Sequence, residues 1–152
     1  MKSPPGGHVA IGDLVLFRFE VTNASSDLNW IANVTFAFPE CCSVVFMRFD
    51  DSESSSEWAF ELAGIGTSTA QYIDADGNWG EIPGDGEHGW FDVTVRVGED
   101  CPESLDLIEW TLNGDNYGAP PHVLTGAIPI SFEVVPVEET SVSALKRGFG
   151  GE

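Results

Sequence analysis

From residue 14 to residue 135 the apolar side chains alternate with polar ones over short stretches, without the three-to-four spacing of an amphipathic helix. Leu14, Leu16, Phe17, Phe19 and Val21 give residues 14–22 a mostly two-residue period, that of a strand. Asn23 to Asp27 is turn chemistry. Residues 30–38 alternate through Trp30, Ala32, Val34, Phe36 and Phe38, and Pro39 ends that run by removing a donor. Residues 42–49 make another strand through Val44, Val45, Phe46, Met47 and Phe49. Residues 58–63 and 67–73 make two short strands split by Gly64 and Gly66. After an irregular glycine-rich stretch, Phe91, Val93, Val95 and Val97 mark the core face of a strand over 90–97. Residues 105–112 and 123–135 supply the last two strands. About eight short strands with turn signals between them predict an all-β fold, an antiparallel β-sandwich of Ig-like or Greek-key type. The sandwich is expected over residues 8–137, after an N-terminal extension (1–7) and before a linker or tail (138–152), where the composition changes.

Length and charge narrow the classes of function. The chain has 152 residues, about one domain. Its 42% hydrophobic content is enough for a packed core. Six Lys and Arg stand against 25 Asp and Glu, giving a formal net charge of −19. Nucleic acid and anionic membrane are excluded as default partners, since both need a basic patch. No apolar run approaches the ~20 residues needed to span a bilayer, so no membrane insertion is expected. Met1 to Gly7 lacks the apolar centre of a signal peptide. A carboxylate-rich surface keeps the protein soluble by self-repulsion and also suits a saline or calcium-rich medium.

Catalytic signatures are absent. There is no Gly-x-Ser-x-Gly elbow, and carboxylates are so abundant that no pair stands out. His8, His88 and His122 are scattered singly in loops beside Gly or Pro, a poor pattern for a transition metal. No enzyme is expected.

Three cysteines, Cys41, Cys42 and Cys101, form an odd set without paired CxxC knuckles. Adjacent cysteines on an extended chain point apart, so the expected bridge joins Cys42 to Cys101, with Cys41 as the alternative. The stretch from Asp74 to Glu81, continued to Asp85, is the candidate metal site. Asp74, Asp76, Asn78, Glu81 and Asp85 offer hard oxygens on a turning backbone, which is what Ca²⁺ takes. The spacing is not that of an EF-hand. Asp50, Asp51, Glu53 and Glu57 form a second acidic loop, expected as solvated surface. Of five tryptophans, Trp58, Trp90 and Trp110 fall in expected strands and read as core or its margin. Trp79 lies in the glycine-rich loop, and with Tyr117 it is the candidate platform for a ligand such as a glycan. The triplets Asn23-Ala-Ser25 and Asn33-Val-Thr35 fit the glycosylation pattern, which is short and common.

Several stretches together resemble a known kind of module. They are Gly12-Asp13, Asn29 to Pro39, Asp76 to Ile82, Leu112 to His122, and the stretch beginning at Val137. Over residues 8–147 the chain resembles the Ig-like β-sandwich modules of large secreted bacterial proteins, which follow or separate hydrolase domains. The cysteines depart from that pattern. The resemblance implies a secreted or cell-surface, non-catalytic module with a structural, spacer or adhesive role, meeting neighbouring domains. Two other readings stand beside it. One is a carbohydrate-binding module. The other is a filament or coat subunit that lends an edge strand, Ile128 to Val137, to a neighbouring subunit.

Overall fold

The computed structural model describes residues 8–24, 30–75, 80–114 and 122–134. The expected extension (1–7) and tail (138–152) lie outside the described residues. The alternation is realised as nine strands, β1 (His8–Ala10), β2 (Leu14–Asn23), β3 (Ile31–Ala37), β4 (Cys42–Asp50), β5 (Phe60–Ala63), β6 (Thr69–Asp74), β7 (Glu87–Val97), β8 (Leu105–Gly114) and β9 (Val123–Glu133). No helix occurs among the described residues. The strands form a six-stranded sheet, ordered β1-β9-β8-β3-β6-β5, and a three-stranded sheet, ordered β2-β7-β4. Pairing is antiparallel except between β1 and β9, which run parallel. β1 is one strand more than the sequence pattern shows, because three residues are too few to display a period.

The core lies where the two sheets face each other. Phe91, Val93, Val95 and Val97 of β7 are all buried on one face, as the alternation requires. Phe91 is the centre of an aromatic cluster, with the rings of Tyr72, Trp58, Phe60 and Phe36 at 4.7, 5.2, 5.6 and 6.1 Å. Tyr72, on β6 of the larger sheet, reaches across this core. Its hydroxyl lies 3.1 Å from the Arg48 carbonyl and 3.0 Å from the Asp92 carbonyl, on two strands of the smaller sheet. One buried proton thus serves two backbone acceptors and ties the sheets together. Trp58 is buried, as expected, but it sits in the loop before β5 rather than in a strand.

Two bulges break the strict alternation. In β3 the register shifts between Ile31 and Asn33, so Ile31 is buried in place of Trp30 and Ala32, while Val34, Phe36 and Phe38 are buried as the alternation requires. In β4 the register shifts between Val44 and Phe46. Val44 and Met47 therefore point inward, and Phe46 points out.

Candidate interaction faces

The acidic, glycine-rich stretch is only partly described. Asp76, Asn78 and Trp79 lie outside the described residues, as does Tyr117. Asp74 ends β6, where its backbone N–H donates to Asn33 Oδ1 at 2.9 Å. Glu81 turns inward. It is buried, its carboxylate accepts the Ala59 N–H, and its own N–H donates to the Ile31 carbonyl. Asp85 occupies the left-handed region at φ 63°. Among the described residues these three carboxylates do not converge on one point. The one group of three or more metal-binding side chains whose ligand atoms all lie within 4.8 Å is the cysteine set.

The second acidic loop does more than face solvent. Asp51 accepts the Trp58 N–H at 2.8 Å, and Asp50 accepts the Ser52 N–H at 3.0 Å. Glu87, from β7, accepts the Ser55 N–H and the Ser54 hydroxyl at 2.7 and 3.0 Å. These carboxylates replace water for the backbone of a serine-rich loop. Hydrogen bonds from Ser52 hold the Asp50 carboxyl below its ordinary range, and those from Ser55 and Ser54 do the same for Glu87.

The disulfide joins Cys41, the alternative partner, to Cys101, with a Cα–Cα distance of 5.3 Å. The expected partner, Cys42, keeps its thiol. Cys42 belongs to β4 opposite Val97 and points into the core, whereas Cys41 sits in the turn before it. Gly98 N–H donates to the Cys41 carbonyl and Cys101 N–H donates to the Gly98 carbonyl, folding the turn after β7 over Cys41.

The described part of the segment expected to be lent as an edge strand, up to Glu133, is integral to the sheet. Ile128 to Glu133 belongs to β9, which pairs with β8 as far as Ser131 and with β1 from Ser131 to Glu133, and Ile130 and Phe132 are 2% and 1% exposed. Withdrawing it would open the core. A groove of about 290 Å³ lies where β2 passes β8 and β9, lined among others by Phe19, Val21, Trp110, Leu112 and Ile128. The Trp110 indole packs against Gly126, where a Cβ would come within 2.2 Å of the ring.

The feature that sequence reasoning missed is the outer face of the three-stranded sheet. The chain's six basic residues are Lys2, Arg18, Arg48, Arg96, Lys146 and Arg147. The three within the described sandwich, the arginines, all occupy outward positions of β2, β4 and β7. Asp92, only 6% exposed, stands between two of them. Its carboxylate accepts from Arg18 Nε at 2.9 Å and pairs with Arg48 Nε at 3.1 Å. Arg18 also pairs with Asp50 at 3.3 Å, and these carboxylates raise its already high pKa. A shared, nearly buried carboxylate thus fixes the directions of two guanidinium groups. The Arg18 guanidinium carbon sits 5.3 Å from the centre of the Trp90 ring, and His88 meets the same ring edge-on. Beside them Phe46 is 52% exposed, paired across the ladder with Thr94, which pairs in turn with Leu16. Leu14 is also exposed, opposite Arg96. No motif announces this face, because its residues come from three separated strands. The usable signal was the scarcity of arginine together with its place in strand positions.

No family model matches the sequence, and no curated protein resembles it in sequence. Solved structures share its architecture. A protein from Nocardia farcinica with an immunoglobulin-like fold is 14% identical, with 85% of this chain and 95% of that chain aligned at a TM-score of 0.50. The seventh ScaB type I cohesin from Pseudobacteroides cellulosolvens is 11% identical, with 87% of this chain and 91% of that chain aligned at a TM-score of 0.54. These likenesses establish an Ig-like β-sandwich.

Proposed function

We propose that the chain is a non-catalytic, extracellular β-sandwich module that binds a protein partner through the outer face of β2, β7 and β4. One observation carries the reading. A bulge at Val45 turns Phe46 outward onto the same face that holds every arginine of the described sandwich. Bulges of this kind re-aim a side chain, and arginine and aromatic residues dominate the energetics of protein interfaces. The Arg18 and Arg48 guanidinium groups are held by Asp92 before any partner arrives, which lowers the ordering cost of binding. A partner segment that offers carboxylates around an apolar side chain fits this face. Long-range attraction would not guide it, because the net charge of −19 repels other acidic chains, so recognition is by contact. The Arg18 guanidinium lies over the Trp90 ring and His88 meets its edge, so this ring is already engaged within the face. The disulfide and the acidic surface support an extracellular setting.

The test is selection of a displayed random-peptide library on the full chain, with counter-screening on an Arg48→Glu, Arg96→Glu, Phe46→Ser variant. Peptides rich in Asp or Glu with an apolar anchor should be enriched and should lose at least tenfold in affinity for the variant. Enriched peptides that bind the variant equally well would overturn the proposal.

A further inference from the structure

The three sulfur atoms of Cys41, Cys42 and Cys101 all lie within 4.8 Å of one another, although two of them are joined and the third is a thiol. Cys41 and Cys42 are consecutive, and both present a sulfur to the turn that carries Cys101. Cys42 and Cys101 are each 4% exposed, whereas Cys41 is only partly buried. We propose that Cys42 exchanges with Cys41 in the bridge to Cys101, so that the chain's one free thiol passes from the core to the surface.

The step balances without an outside oxidant. Cys42 loses its proton to solvent, and its thiolate attacks Cys101 Sγ. The Cys42–Cys101 bond forms as the Cys41–Cys101 bond breaks, and Cys41 leaves as a thiolate that takes up a proton. A Cys41–Cys42 bridge is disfavoured, because adjacent Cα atoms lie only about 3.8 Å apart, short of the roughly 4.4–6.8 Å that a disulfide usually spans. Burial is the main cause that pushes the Cys42 thiol up to about 11, and the carboxylates of Asp100, in the turn after β7, and Asp106, on β8, add to it. The thiolate is therefore scarce at neutral pH, and exchange is slow there and speeds up in alkali. The consequence is a site for covalent modification at Cys41 that the resting disulfide conceals.

The experiment traps the thiol in the intact, folded chain. Iodoacetamide is added at pH 7, 8 and 9 without denaturant or reductant, and the acid-quenched protein is mapped as unreduced peptides. The label should appear on Cys41, in molecules that carry a Cys42–Cys101 bridge. Its rate should rise roughly tenfold per pH unit, following the thiolate. Label on Cys42 or Cys101, or no label at pH 9 when the urea-unfolded chain labels fully, would overturn the proposal. A Cys41→Ser chain provides a second reading. It should be recovered with a Cys42–Cys101 bridge and no free thiol, and recovery with two free thiols would count against exchange.

Discussion

Replacing Tyr72 with Phe removes one oxygen atom from the centre of the sandwich and leaves the aromatic cluster in place. The hydroxyl sits 3.1 and 3.0 Å from the carbonyl oxygens of Arg48 and Asp92, so its loss leaves two acceptors of β4 and β7 without their inter-sheet donor. Loss of a buried hydrogen bond of this kind costs about 1–2 kcal/mol. For a chain of this size each kcal/mol moves the melting temperature by roughly 2–4 °C, so Tyr72→Phe should melt about 2–8 °C lower. The pH dependence gives an independent check. Burial, together with the negative charge of Asp92, raises the Tyr72 pKa above its usual value. The unfolded chain ionises this tyrosine above about pH 10, while the folded chain does not. Its contribution is therefore complete below pH 10 and is lost as the pH rises through the alkaline range. Cys42, whose pKa is also raised, is present in both proteins and cancels in the comparison. Urea denaturation of the two proteins between pH 7 and 11 should show a stability difference that is constant at neutral pH and shrinks above pH 10. Equal urea midpoints at pH 7 would refute the inter-sheet role of the hydroxyl.

Other perturbations follow from the same contacts. Gly89→Ala places a Cβ 2.1 Å from the Trp58 ring and 2.7 Å from the Asp50 carbonyl, and overpacking of this kind should destabilise by about 1–3 kcal/mol in thermal melts. Cys101→Ser opens a bridge with a sequence separation of 60, which should cost about 4 kcal/mol by the chain-entropy estimate, read by urea denaturation. The lowered pKa values of Asp50 and Glu87 mean that their stabilisation is present above the unfolded carboxyl range and is lost as the pH falls through the folded values. Asp50→Asn with Glu87→Gln should flatten the acid side of the stability curve. For the acidic loop we propose that Ca²⁺ at a hundredfold excess over its Kd stabilises the fold by about 2.7 kcal/mol beyond NaCl of equal ionic strength. That gain should vanish in Asp74→Ala with Asp76→Ala, and a melting temperature no higher in Ca²⁺ than in the salt control would refute it.

The strands were legible where burial is one-sided. Phe91 to Val97 shows its period plainly because the opposite face of β7 is polar. The bulges were not legible. A run such as Val44-Val45-Phe46-Met47 is apolar throughout, so its pattern cannot say which residue is the extra one. The same ambiguity hid Phe46, which is one residue of an apolar run in sequence and lies on the surface in the fold. Glu81 misled in the other direction. In sequence it is one acid in an acidic loop, and only the tertiary approach of Ala59 gives it a buried role. The cysteine pairing depended on where β4 begins, and a boundary shift of one residue decides it. The arginine face required sheet order, because Arg18 and Arg48 meet at Asp92 only once β2 and β4 flank β7, and Arg96 lies further along the same face.

The central claim, that β2, β7 and β4 present a protein-binding face, is tested most directly by NMR titration of the isotope-labelled chain with a peptide selected on it. The Trp90 indole N–H, the Nε–H signals of Arg48 and Arg96, and the Phe46 ring should shift together and saturate with one affinity. Shifts confined to the outer face of the six-stranded sheet, at Thr35, Gln71 and Thr111, with those signals unmoved, would contradict the account.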